Sequence, residues 1–209
     1  MKLAKSLFAL ISMFVLASVA CLGQSFSADV VFVDVKANPG SQNNNFPTHQ
    51  PSRLFVNENK IRLELGGRDG TILLVNPADQ TVFALFPAKR EYQPLAFRFS
   101  EYFRVTDPEN ACSDWQSASA QEVACQKAGY EIVDGRRTIK YRNNVVSDIV
   151  PNAVWIDPEL KFVVKWEGAG KSAELRNIHE ESQTADLFTV PSDYNVPKPK
   201  KIKNKGFSH

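Results

Sequence analysis

Apolar residues recur at every second position through much of this chain, and that period limits its fold more than any other feature. In residues 60–65, Ile61, Leu63 and Leu65 share one face while Arg62 and Glu64 share the other. Residues 30–36 alternate similarly, with Val31, Val33 and Val35 against Asp34 and Lys36, and residues 161–167 place Phe162, Val164 and Trp166 together. A period of two marks half-buried antiparallel strands. Further strand-like runs occupy 71–75, 81–86, 131–133, 138–142 and 153–156, with weaker ones at 172–178 and 187–190. Turn residues separate them: Gly66-Gly67-Arg68-Asp69-Gly70, Asn76-Pro77-Ala78-Asp79 and Asp134-Gly135. Asp-Gly between two such runs is a strong hairpin signal. The pattern predicts a hairpin meander. Helix is expected to be scarce, with a short one over 96–104, where Phe99, Tyr102 and Phe103 have helical spacing.

The N-terminus predicts export. Lys2 and Lys5 precede an uncharged apolar run, 7–16, and small residues continue to Gly23 with no charge until Asp29. A basic start, an apolar centre and small residues make a signal peptide; a membrane anchor is the competing reading, because the run is nearly long enough to span. Cleavage fits after Ala20 or after Gly23. Cys21 adds a third route, lipidation, although the lipoprotein pattern has Leu where this chain has Ser18. We read three regions: a signal at 1–23, one β domain at 28–196 and a tail at 197–209. The expected location is the periplasm or cell envelope, with secretion or anchoring through Cys21 as variants.

Export constrains the cysteines. With Cys21 removed or lipidated, Cys112 and Cys125 remain, and in an oxidising compartment a lone pair predicts a disulfide. A metal site is the alternative, but two Cys without a nearby His make a poor one. Residues 115–127 are rich in Ala, Gln and Glu and invite a helix. One straight helix from Cys112 would hold the two cysteines about 20 Å apart, whereas a disulfide needs Cα atoms within about 7 Å. The chain is therefore expected to turn back.

Chemistry is sparse. The three His residues, His49, His179 and His209, belong to no metal-binding spacing. No nucleophile elbow and no phosphate-cradling Gly loop occurs. Glu180-Glu181 beside His179 reads as solvated charge. No catalytic residue, no cofactor and no metal is expected. Between residues 24 and 197 the chain carries 18 basic and 23 acidic residues, which argues against a nucleic-acid partner. Lys198, Lys200, Lys201, Lys203 and Lys205 crowd the tail, which is read as a solvated end or a peripheral contact with anionic lipid.

An ordered set of residues carries a family resemblance. Arg53-Leu54-Phe55-Val56 leads to Arg62-Leu63-Glu64. Then come Thr71 to Val75, Asn76-Pro77, and Val82 to Pro87 with Tyr92. Cys125 to Arg136 reads C-x-x-x-G-x-E-x-V-x-G-R, and Trp155-Ile156-Asp157, Leu175 to Ile178 and Leu187 to Pro191 with Tyr194 follow. Together these resemble exported proteins of the lipoprotein-localisation (LolA/LolB-like) superfamily. The resemblance implies a mainly β fold: a curved antiparallel sheet, or half-barrel, with one or two short helices. In carrier members the concave apolar face receives acyl chains. That implies a monomeric, non-enzymatic domain binding lipid or an acylated protein, in contrast to an envelope interaction module with a filled core. The lining expected from strand faces is Val31, Val33, Val35, Ile61, Leu63, Leu65, Phe83, Phe162, Val164 and Trp166. The lid helices of the carriers are less evident in this chain.

Overall fold

The computed structural model describes residues 24–34, 52–58, 60–67, 70–96, 103–118, 124–143, 151–168 and 171–197. The signal region, Cys21, Val35, His49, His209 and the tail beyond Pro197 lie outside them. The described chain is mainly β. Eleven strands form one sheet: β1 (Phe26–Asp34), β2 (Ser52–Asn57), β3 (Lys60–Glu64), β4 (Ile72–Asn76), β5 (Thr81–Phe86), β6 (Glu91–Leu95), β7 (Cys125–Val133), β8 (Arg136–Asn143), β9 (Ala153–Asp157), β10 (Phe162–Gly168) and β11 (Lys171–His179). One short helix, α1 (Ala111–Ala118), precedes β7.

The strand order is β6-β5-β4-β3-β2-β1-β11-β10-β9-β8-β7, antiparallel at every step. Each half is a meander, as the turn signals predict. The halves join where β1 pairs with β11, Val30 opposite Leu175 and Phe32 opposite Ala173. The sheet curls. Ile61 and Leu63 on β3 line the same small pocket as Phe162 and Trp166 on β10, four strand steps away. A flat sheet would hold those strands about 19 Å apart.

Three apolar clusters hold the fold. The largest gathers Phe26, Val30, Leu54, Val56, Phe162 and Leu175, among others, from both halves. A second packs Ala111 and Trp115 of α1 against Ile139 and Tyr141 of β8, with the Trp115 and Tyr141 rings edge to face at 5.7 Å. The third lies under the C-terminal segment, where Val190 and Tyr194 cover Ile72, Leu74 and Leu85.

Cys112 and Cys125 are bonded, with Cα atoms 5.5 Å apart. The helix stops at Ala118 and Cys125 opens β7, so residues 115–127 are not one helix. Two sequence expectations, the strand at 187–190 and the start of the 131–133 strand, need correction, and the helix expected at 96–104 lies mostly outside the described residues. The weak strand expected at 187–190 is absent: Ala185–Phe188 is a 3-10 turn. It lies against β3, where Arg62 Nη1 donates to Leu187 O at 2.9 Å. In the 96–104 helix only residues 96, 103 and 104 are described. Of these, Arg104 pairs antiparallel with Phe162. β7 also begins six residues before the 131–133 run, because an edge strand shows no buried face to pattern.

Candidate functional site

The curl of the sheet encloses a pocket lined entirely by apolar residues: Val30, Leu54, Ile61, Leu63, Phe103, Phe162, Trp166 and Leu175. Alternation delivers most of them. Leu54 faces inward between exposed Arg53 and half-buried Phe55, and Ile61 and Leu63 flank Arg62, whose Nε donates to Glu64 at 2.7 Å. Leu175 lies opposite Val30 across the junction of the halves.

Phe103 is the exception, because it belongs to no named strand. Val163 N donates to Phe103 O at 2.7 Å, and Val105 N donates to Lys161 O at 3.0 Å. These bonds use the edge of β10 that β11 occupies only from Lys165 onward. They set the Phe103 ring 6.0 Å from Phe162 and 5.1 Å from Trp166, over the pocket. Phe26 meets Phe162 edge to face at 5.2 Å from below. The free volume left is about 10 Å³.

Of the expected lining residues, Ile61, Leu63, Phe162 and Trp166 meet at this pocket. Leu65 packs against the surrounding cluster, and Val164 is buried within it. Phe83 belongs elsewhere, beside Tyr92 at 5.7 Å under the C-terminal segment. On β1 the expected face is the wrong one. Phe26, Ala28 and Val30 point into the core, while Val31 is half-buried between Val30 and Phe32. Residues 30–33 read VVFV, so alternation alone leaves the face undetermined. Val33 lies in β1 and Val35 outside the described residues. Sequence reasoning missed Val30, Leu54, Leu175 and Phe103. Leu54 and Leu175 sit in alternating runs that could have yielded them; Phe103 carries no such signal.

Charged groups lie away from the pocket. Trp155 is buried, with Lys140 Nζ 4.4 Å and Lys165 Nζ 4.5 Å from its ring centre, and its Nε1–H donates to Glu131 Oε2 at 2.7 Å. Hydrogen bonds from Lys140 and then Trp155 hold the Glu131 carboxyl below its ordinary range. Burial lowers the Arg104 guanidinium from its usual value, opposed by Glu58. Arg136 binds Asp157 and Glu180, which tethers the β7–β8 turn. His179 is exposed at the end of β11, and Glu181 accepts from Ser27 Oγ at 3.1 Å. Glu180 and Glu181 therefore have structural partners. Among the described residues no group of three His, Cys, Asp or Glu side chains could hold a metal ion.

This is a mainly β fold, one antiparallel sheet with a short helix, and an apolar pocket lies in the curl of the sheet. No family model matches the chain, and no curated protein matches it. Solved structures do. An uncharacterized conserved protein from Thermus thermophilus is 11% identical over 84% of this chain and 91% of that one, with a TM-score of 0.50. The Pseudomonas aeruginosa MucA/MucB complex is similar at 10% identity over 85% of this chain and 59% of that one, at a TM-score of 0.38. A LolA superfamily protein from Nitrosomonas europaea follows at 12% identity, 80% and 90% coverage and a TM-score of 0.20. The Thermus likeness is one of fold. The other two are too distant to support a statement about this chain's activity.

Proposed function

We propose that this chain is an exported, non-enzymatic domain of the cell envelope that takes a hydrophobic group, a lipid or the acyl chain of a modified protein, into the curl of its sheet. The observation that carries the reading is the composition of the pocket. Eight apolar residues, seven from β1, β2, β3, β10 and β11 together with Phe103, converge there. The bonded Cys112–Cys125 pair supports an oxidising location.

The small free volume fits this reading on energetic grounds. An empty apolar cavity costs about 24 cal/mol per Å³. A void of about 400 Å³, enough for a long acyl chain, would cost roughly 10 kcal/mol, comparable to the whole stability of a domain. A ligand-free binder of this kind should stand closed on its own side chains. Phe103 is the residue to move, since it belongs to no named strand of the sheet. Each CH₂ then buried returns about 0.8 kcal/mol.

A second reading, an interaction module with a permanently filled core, is favoured by the cavity of about 10 Å³. Two measurements separate them. Organic extracts of gently purified protein are examined for lipid by mass spectrometry, and a nitrobenzoxadiazole-labelled fatty acid is titrated against wild type, Phe103→Ala and Trp166→Ala. The ligand reading expects bound lipid, tighter probe binding by Phe103→Ala and weaker binding by Trp166→Ala. No lipid, and no probe binding by wild type or Phe103→Ala, leaves the filled module.

A further inference from the structure

The two edges of the sheet are finished differently. At β6, Pro94 removes one backbone donor. Tyr92 N donates to Asn195 O and Asn195 N to Arg90 O, each at 3.0 Å, so the C-terminal segment covers part of that edge. At β7 no described residue pairs with the outer side of the strand. A bulge lies between Lys127 and Gly129, and from Gly129 to Val133 the register with β8 is regular.

The turn fixes which backbone groups face outward. Asp134 and Gly135 both have positive φ, 47° and 77°, as a two-residue type I′ hairpin requires. Val133–Arg136 is then the hydrogen-bonded closing pair, and pairs alternate from there. Ile132 and Tyr130 fall in the non-hydrogen-bonded positions, so their N–H and C=O groups point away from β8. The same two residues are 68% and 49% exposed, and only Val196 joins them as an exposed large apolar side chain among the described residues.

The charge around this edge opposes that of the rest of the domain. The β7–β8 hairpin holds five basic residues and two acidic ones, within a 24–197 region of 18 basic and 23 acidic. Three of the five cations are engaged: Lys127 by Glu109, Arg136 by Asp157 and Glu180, and Lys140 by Glu131. Arg137 and Arg142 have no carboxylate at ion-pair distance among the described residues. Arg137 lies opposite Ile132 with its guanidinium 4.5 Å from the Tyr130 ring centre. Arg142 lies opposite Gln126, on an open groove of about 310 Å³ that includes Ala124 and Cys125. Cations without an ion-pair partner therefore mark both ends of the free strand, and, lying five positions apart on β8, they sit on opposite faces of the sheet.

We propose that the outer edge of β7 docks an extended acidic segment of a partner protein. The segment adds as a further strand, hydrogen-bonded to Tyr130 and Ile132, with carboxylates meeting Arg137 and Arg142. A span of about 17 Å between the two arginines, five steps along β8, corresponds to six extended residues. Strand addition of this kind draws affinity from main-chain hydrogen bonds and specificity from side chains. A second copy of this chain is disfavoured as the occupant, because it would set two basic hairpins against each other.

The test uses the whole protein and a fluorescent ten-residue Glu-Val peptide with Glu on both strand faces (Glu-Glu-Val-Val repeats), with Lys-Val and Glu-Pro peptides of the same pattern as controls. The acidic β-forming peptide should bind, slow the hydrogen exchange of the Tyr130 and Ile132 amides, and lose affinity as salt rises. Ile132→Pro removes one outward N–H without touching the β7–β8 ladder, and should weaken binding tenfold or more. Arg137→Glu with Arg142→Glu should do the same, and decides the matter should the proline variant fail to fold. Equal binding of the Glu-Pro peptide, no preference over Lys-Val, or unchanged binding by folded variants overturns the proposal. So does self-association of the wild type that Ile132→Pro abolishes.

Discussion

Trp155 donates its indole N–H to Glu131 across a β-strand, and the same carboxylate accepts from Lys140 at 2.8 Å. Trp155 is 1% exposed, so its donor depends on this one acceptor. Glu131→Ala is expected to cost about 1–3 kcal/mol by leaving a buried N–H unpaired. Glu131→Gln keeps an acceptor and removes only the charge. The carboxyl is held below its ordinary value by Lys140 and Trp155. Its contribution is therefore present above the unfolded pKa, about 4.3, and is lost as pH falls through the lower folded value. Glu131 is about half exposed, so the effect should stay below about 1 kcal/mol. Urea unfolding from pH 3 to 7 should show a slope in wild type that flattens in Glu131→Gln.

Removal of the Cys112–Cys125 bond should lower stability by roughly 3 kcal/mol, through the freed entropy of a 13-residue loop. The loss should appear first at α1. Trp115 there packs on Tyr141, so near-ultraviolet circular dichroism of the double Ser variant should weaken before the far-ultraviolet strand signal does.

Tyr141 donates its hydroxyl to Pro108 O at 2.9 Å, fully buried. Tyr141→Phe should cost about 1 kcal/mol, the net value of one hydrogen bond. Burial also pushes the Tyr141 phenol above its ordinary value. In a spectrophotometric titration of folded protein, the variant should lack one tyrosine that ionises above the ordinary range.

Gly135 sits at φ 77°, a conformation that costs an L-residue about 1–2 kcal/mol. Gly135→Ala should destabilise by that amount in thermal unfolding. Asp134→Ala should cost at least as much, since it also loses the carboxylate that accepts from Asn177 N at 2.9 Å.

The legibility of the fold follows from where each strand lies. Residues 60–65 border the core on one side and their alternation is plain in the sequence; 161–167 still shows Phe162, Val164 and Trp166 on one face, although Val163 is buried in the second cluster on the other. β1 reads VVFV at its centre, so its inward face, through Val30, depends on pairing with Leu175, 145 residues away. β9 is buried at all five positions and β7 exposed at most of its length, so neither alternates. The β9 run is still legible from its apolar content. Only the end of β7 is legible, because nothing in Gln126-Lys127-Ala128 distinguishes an open edge from a loop. Phe103 escapes for another reason. Its role over the pocket comes from two backbone bonds to β10, which no side-chain pattern encodes.

The junction of β1 with β11 also bears on how the chain matures. Each meander joins residues close in sequence and can form from a short stretch of chain. The seam between them joins the first strand to the last and must overcome the entropy of closing a loop of well over a hundred residues. β1 therefore has no β11 partner until the chain has been made as far as residues 171–179. Until then both halves expose the apolar faces that meet at the seam. A chain built this way stays incomplete through most of its synthesis and locks only once its eleventh strand is available.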